Sequence, residues 1–318
     1  MIVKQNRLIL SLLAVLLLLV TWLPPVGVCA AETLDPTRDC ELIIEFLHQD
    51  QPIPGAPYCL YQIAAWSADG ELSMRDDFSA YPVDFTTMTQ EKYRALAQTL
   101  DSYVKMDQLE PDFAGYANEY GFGDLTGLQP GLYLLAGLRY IGEGGMYTFA
   151  PSIISVPTRD SSEDPWMYNV RVLPKCSFQP HGGMGVTTKK VLKIWDDFGN
   201  EATRPKSIEV ILLCNGEPYD TVELSAQNGW SYVWEDLVAG EEWLVVEVVP
   251  EDYSVLIMDD GLVTKIINTN NTTPPPSDPE EDLPQTGQTW WPMPLLMVLG
   301  VVLIAAGVRI NRGSKHEA

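Results

Sequence analysis

Histidine is nearly missing from this chain: His48, His181 and His316 are the only three among 318 residues. None has the spacing of a metal ligand or of a nucleophile's base, and His316 is the third residue from the end. Positive charge is also scarce, with 20 Lys and Arg against 43 Asp and Glu and a net charge of −23. So acidic a chain repels nucleic acid and anionic lipid, and neither is an expected partner. No glycine-rich loop is set to cradle phosphate. Cys29 lies in the leader, and the other four cysteines, Cys40, Cys59, Cys176 and Cys214, match no metal motif. No cofactor, metal or enzyme activity is therefore expected.

Long apolar runs occur only at the two ends. Residues 1–30 place Lys4 and Arg7 before the run Leu8–Leu19, then Pro24 and Pro25, then Val28-Cys29-Ala30. A basic start, an apolar centre and a small-residue exit predict a secretory signal peptide, cut after Ala30 or Ala31. At the other end stand Leu283-Pro284-Gln285-Thr286-Gly287, an apolar stretch over 290–308, and a tail over 309–318 with Arg309, Arg312 and Lys315. The stretch is just long enough to span, at ~1.5 Å per residue against a ~30 Å hydrocarbon core. Trp290 and Trp291 suit the outer interface, and the basic tail suits the cytoplasm.

Motif, span and basic tail in that order resemble the cell-wall sorting signal of sortase substrates. The resemblance implies that a sortase recognises Leu283, Pro284, Thr286 and Gly287 and cuts after Thr286. The threonine is then joined to peptidoglycan or its lipid-linked precursor. The expected location is the cell wall of a Gram-positive bacterium, after secretion and a membrane-spanning stage.

Between the ends lie about 250 residues, enough for two domains. The expected boundary is the glycine-rich joint Pro180-His181-Gly182-Gly183-Met184-Gly185, giving domains over 37–178 and 186–270. Residues 271–282 form a proline-rich acidic stalk. β-Branched and aromatic runs predict strands at 40–47, 58–65, 131–138, 146–156 and 167–173, then at 187–195, 207–213, 230–234, 242–249 and 262–268. A helix is predicted over 89–104, with Tyr93, Leu96, Leu100 and Tyr103 on one face. The fold expected is all-β: two immunoglobulin-like β-sandwich domains, the first with a helical insertion. Disulfides are permitted outside the cell; if one forms, Cys40 with Cys176 or with Cys59 is expected.

Residues 186–270 resemble the collagen-adhesin B-type (Cna B) domain. The segments that carry this are Val191-Leu192-Lys193-Ile194-Trp195, Arg204-Pro205-Lys206-Ser207-Ile208, Asn228-Gly229-Trp230, Trp243-Leu244-Val245-Val246-Glu247 and Ile266-Ile267-Asn268-Thr269. In that family a first-strand lysine and a last-strand asparagine join in a spontaneous isopeptide bond, assisted by a carboxyl group. The matching residues here are Lys193, Asn268 and Glu247. The chemistry needs a neutral lysine and a protonated carboxyl, hence an apolar core. Period-2 alternation puts Val191, Lys193 and Trp195 on one face.

Trp166-Met167-Tyr168-Asn169-Val170-Arg171-Val172-Leu173-Pro174-Lys175 resembles the pilin motif of sortase-assembled pili. That implies Lys175 as acceptor for the Thr286 of a neighbouring pilin subunit. Leu173 replaces the motif's usual tyrosine, and Gly137 stands where the family has its E-box glutamate. The first strand, Leu42–Leu47, has no lysine, so no internal bond is expected in the first domain. Shaft and basal subunit both remain open. The alternative is a monomeric wall-anchored adhesin that binds a host or matrix surface protein.

Overall fold

Two sets of β-sheets follow one another along the chain in the computed structural model. It describes residues 33–272 apart from 68, 86–88, 143, 162–163, 181–184 and 198. The expected leader, sorting motif, span, tail and nearly all of the stalk lie outside the described residues, as does most of the glycine joint. Among the described residues no helix is long and apolar enough to cross a membrane.

The first set comprises β1 (Cys40–Glu45), β2 (Leu47–His48), β3 (Gln51–Pro52), β4 (Pro57–Trp66), β5 (Leu72–Met74), β6 (Phe113–Tyr116), β7 (Phe122–Leu128), β8 (Gly131–Leu135), β9 (Leu138–Gly142), β10 (Gly145–Phe149), β11 (Ser152–Val156), β12 (Asn169–Val172) and β13 (Cys176–Pro180). Helices α1 (Asp76–Ser79) and α2 (Gln90–Met106) fall between β5 and β6. The second set comprises β14 (Val186–Asp196), β15 (Ser207–Cys214), β16 (Glu217–Ser225), β17 (Ser231–Val238), β18 (Trp243–Val248), β19 (Tyr253–Asp259) and β20 (Val263–Asn270).

In the first sandwich, sheet β12-β1-β7 faces sheet β11-β8-β4-β5, whose β4 also pairs β6. Leu42, Ile44, Leu60, Tyr133, Leu135 and Val170 fill the space between them. All five residues of β8 are buried. Tyr133 and Leu135 face that core, while Leu132 and Leu134 face α2. A sheet covered on both faces carries a continuous apolar run in place of alternation. The run 146–156, expected as one strand, breaks at Ala150-Pro151 into β10 and β11, which belong to different sheets. Proline has no N–H for a ladder, and the Ala150 N–H is spent on the Lys175 carbonyl at 2.9 Å.

The second sandwich packs sheet β17-β14-β20-β19 on sheet β16-β15-β18. Asn215 and Gly216, with φ of 52° and 84°, form the two-residue turn between β15 and β16. Positive φ at both positions is what a tight hairpin of this hand requires, and Asn-Gly meets it at least cost. First strand β14 and last strand β20 lie side by side and parallel, with Lys193 opposite Ile266 and Trp195 opposite Asn268.

Helix α2 is capped by Thr89, whose side chain accepts from the Lys92 N–H. Its expected single apolar stripe needs correction: Tyr93 is exposed, and Ala95, Ala97, Thr99, Asp101, Ser102 and Val104 are buried along with Leu96, Leu100 and Tyr103. The helix is covered on two sides. Leu96, Ala97, Leu100 and Val104 pack on the first sandwich, and Tyr103 joins the core of the second.

Candidate functional site

Strand β14 alternates as its sequence demands, burying Lys189, Val191 and Lys193 in turn. β20 does the same with Thr264, Ile266, Asn268 and Asn270. Because the two strands are parallel neighbours, Lys193 and Asn268 project from one sheet into the same core. Glu247 comes from β18 on the facing sheet. Its carboxyl accepts a hydrogen bond from Asn268 Nδ2 at 2.8 Å on Oε1, and its Oε2 stands 3.7 Å from Lys193 Nζ. The side chains of Lys193 and Glu247 are both 0% exposed.

The Lys193 ammonium has few alternatives to Glu247. It donates to the carbonyls of Ile194 at 3.1 Å and Ile266 at 3.4 Å, and it lies 4.3 Å from the centroid of the Trp195 ring. Trp230 and Tyr253 pack edge-on against Trp195 and complete that wall. Ring and carboxylate both favour a charged amine. Burial opposes them and wins, holding Lys193 below its ordinary value. Burial likewise raises Glu247, against the pull of Lys193 and the Asn268 hydrogen bond. Both shifts favour the neutral pair, a free amine beside a carboxylic acid. Glu247 Oε2 and Asn268 Oδ1 are buried with no hydrogen-bond partner. A buried polar atom without a hydrogen bond costs about 1–3 kcal/mol, and the 3.7 Å approach of Lys193 Nζ offsets only part of this at Glu247 Oε2.

Lys175 lies far from this chemistry in kind. It follows buried Pro174 between β12 and β13 and is exposed. Its backbone carbonyl is pinned by Ala150, while its ammonium has no hydrogen bond or ion pair among the described residues. Gly137 occupies a closed corner: a Cβ there would come within 2.9 Å of Pro151 Cδ and 3.2 Å of Asp101 Oδ2. A glutamate has no room at that position. The cysteines Cys40, Cys59, Cys176 and Cys214 are free thiols, so neither expected Cys40 disulfide is formed. Cys40 Sγ turns to the Arg38 carbonyl and Cys176 Sγ to that of Ser177. Burial pushes the Cys40 thiol up to about 11.

Residues 189–269 match the family profile of the Cna protein B-type domain. The second sandwich is a Cna B-type domain, and Lys193, Glu247 and Asn268 all fall inside the match. Over 63 residues the chain is 36% identical to the collagen adhesin of Staphylococcus aureus, which is 19% of this chain and 5% of that protein. The chain thus spans only a small part of its curated relative. A solved B repeat unit of the collagen-binding surface protein of the same organism superposes on 76% of this chain and 100% of its own, at TM-score 0.25 and 14% identity. For the major pilin SpaD of Corynebacterium diphtheriae the shares are 74% and 65%, at TM-score 0.31 and 15% identity. For the basal pilin SpaE of Lactobacillus rhamnosus GG they are 69% and 83%, at 0.28 and 14%. Scores this far below 0.5 carry no weight on function.

Sequence reasoning missed Lys189, also buried inside the Cna B-type domain at 1% exposure. The same alternation that selects Lys193 selects it. Its ammonium is fully engaged by both Asp259 oxygens at 2.7 and 2.9 Å and by the Gly261 carbonyl at 2.9 Å. That difference in partners separates a structural ion pair from a candidate nucleophile.

Proposed function

We propose that this protein is a sortase-linked surface subunit of a Gram-positive pilus, shaft or base, whose Cna B-type domain locks itself with a Lys193–Asn268 isopeptide bond. The observation that carries this reading is the fully buried Lys193–Glu247–Asn268 cluster within the matched domain. Neutral Lys193 Nζ adds to Asn268 Cγ, the Cγ–Nδ2 bond breaks, and Glu247 relays the lysine proton to the leaving nitrogen, which departs as ammonia. The exported chain should therefore weigh roughly 17 Da less than its sequence; a full mass rejects the bond. In the same reading Thr286 is the donor and Lys175 the acceptor for assembly, with sortase, peptidoglycan and other pilin subunits as partners. An exposed lysine fixed by its backbone and unengaged at its tip suits an incoming thioester. Lys175→Ala should remove the high-mass ladder that wall extracts give on a denaturing gel. A ladder unchanged by the substitution counts against a shaft role.

A second reading, a monomeric wall-anchored adhesin for a host or matrix protein, is favoured by the identity shared with the collagen adhesin. A parent extract without any ladder, from cells that make the protein, selects it.

A further inference from the structure

Glu247 sits on an edge strand, since β18 ends its sheet in the order β16-β15-β18. Its backbone carbonyl accepts a buried hydrogen bond from Tyr103 Oη of α2 at 3.1 Å. Tyr103 is 4% exposed and belongs to the core of the Cna B-type domain, although it comes from the helix inserted in the first sandwich. Tyr81 stacks on its ring at 5.1 Å. One turn earlier, Thr99 Oγ1 accepts from the Ile257 N–H at 2.7 Å. Gln98 exchanges two hydrogen bonds with the Asp259 backbone, at 2.8 and 3.2 Å. Ile257 and Asp259 lie on β19, the edge of the other sheet, whose Val255 stands opposite Asn268. The Val255 N–H is taken by the Pro82 carbonyl at 2.8 Å. One segment of the first sandwich therefore holds the Glu247 edge strand and the strand beside Asn268.

We propose that α2 is part of the cross-link site: Tyr103, supported by Thr99 and Gln98, positions Glu247 against Lys193 and Asn268, so that the bond forms only after the two sandwiches dock. This rests on the reading that Lys193 and Asn268 join. Reaction between fixed groups needs the atoms within about 3–3.5 Å, and a misplacement of about 1 Å costs on the order of 100-fold. Edge strands held by few partners drift most easily, and among the described residues Glu247 has β15 alone beside it as a strand. Tyr103 is itself buried in the core on that side. The charged and titratable groups facing the carboxyl are Lys193 from β14 and Tyr103 from α2. Asp107 and Tyr81 lie beyond Tyr103, and Arg204 acts on Lys193. Since α2 precedes the domain in the chain, the cross-link would report that the first sandwich is already in place.

The test follows bond formation in the full exported chain. Chain isolated unfolded in denaturant is refolded by dilution, quenched at intervals and weighed intact. The parent should lose roughly 17 Da with time. Tyr103→Phe keeps the ring and removes one hydrogen bond, and should react about fivefold more slowly. Thr99→Val should slow the reaction as well, although Thr99 touches none of the reacting residues. Tyr103→Ala should admit water, lower the acidity threshold of Glu247, and move the high-pH limb of the rate profile to lower pH. A purely structural tyrosine would change yield without moving that limb. Parental rates and pH profile in all three variants overturn the docking requirement. A parent that keeps its full mass overturns the cross-link itself.

Discussion

Glu247→Gln is expected to leave the exported chain at its full, uncondensed mass and to lower its melting midpoint by roughly 8–20 °C. Gln keeps the size of the side chain and can still accept from Asn268 Nδ2. What it lacks is a proton to relay. It also removes the one carboxylate that favours a charged Lys193, so the amine becomes a freer nucleophile in the variant. Loss of the bond would then isolate the relay from the attack. Lys193→Met should give the same full mass for the opposite reason, having a relay and no nucleophile.

The size of the effect follows from what the bond closes. Joining β14 to β20 closes a loop of about 75 residues, which on a chain-entropy estimate contributes roughly 4–5 kcal/mol. The polar groups left unpaired in the variant cost about 1–3 kcal/mol. The covalent closure is the larger of the two, so the melting difference should track bond formation across Glu247→Gln, Lys193→Met and Asn268→Ala. Paired calorimetry and intact mass check this; a variant with full mass and the parental midpoint would contradict it.

The candidate cluster was legible in two ways. Alternation along β14 marks Lys193, while Glu247 and Asn268 came from the resemblance to the Cna B-type domain, since β18 is buried almost throughout and shows no alternation. Val191, Lys193 and Trp195 share a face by period alone. Lys175 was legible through its surroundings, a proline and a strand end that leave it exposed. The role of α2 was not. The expected stripe of Tyr93, Leu96, Leu100 and Tyr103 assigns no role to Gln98, Thr99 or Ser102. Gln98 and Thr99 instead serve the backbone of β19, where a polar side chain does the work of a missing neighbour strand. Nothing in local periodicity distinguishes a polar residue facing water from one facing a strand edge. Strands β16 and β7 escaped for a related reason. The polar run of β16 is exposed along an edge, and β7 carries two glycines.

Lys105→Ala is expected to destabilise the exported chain by about 3 kcal/mol at neutral pH, and by less in acid. Lys105 Nζ reaches Asp101 Oδ2 at 2.9 Å, Glu242 Oε1 at 2.9 Å and the Gly137 carbonyl at 2.7 Å. It thereby ties α2, the first sandwich and the Cna B-type domain at one point. Burial acts to lower the lysine, but the two carboxylates outweigh it and hold it raised. Asp101, 5% exposed at its side chain, is raised by burial even with Lys105 beside it. Without the lysine it keeps only the Gly137 N–H at 2.9 Å. Its folded-state affinity for a proton then exceeds that of the unfolded chain by more than before. A carboxyl with a raised folded value favours folding when protonated, and loses that contribution as pH rises through the window above its ordinary 3.8. The deficit of Lys105→Ala should therefore shrink as pH falls into that window, whereas a lost packing contact would cost the same throughout. Asp101→Asn combined with Lys105→Met removes both charges and should recover most of the loss at neutral pH. Urea titrations of the three chains at neutral and acid pH decide it: a deficit independent of pH, or a double variant no better than Lys105→Ala, would mean the cluster matters by shape and not by charge.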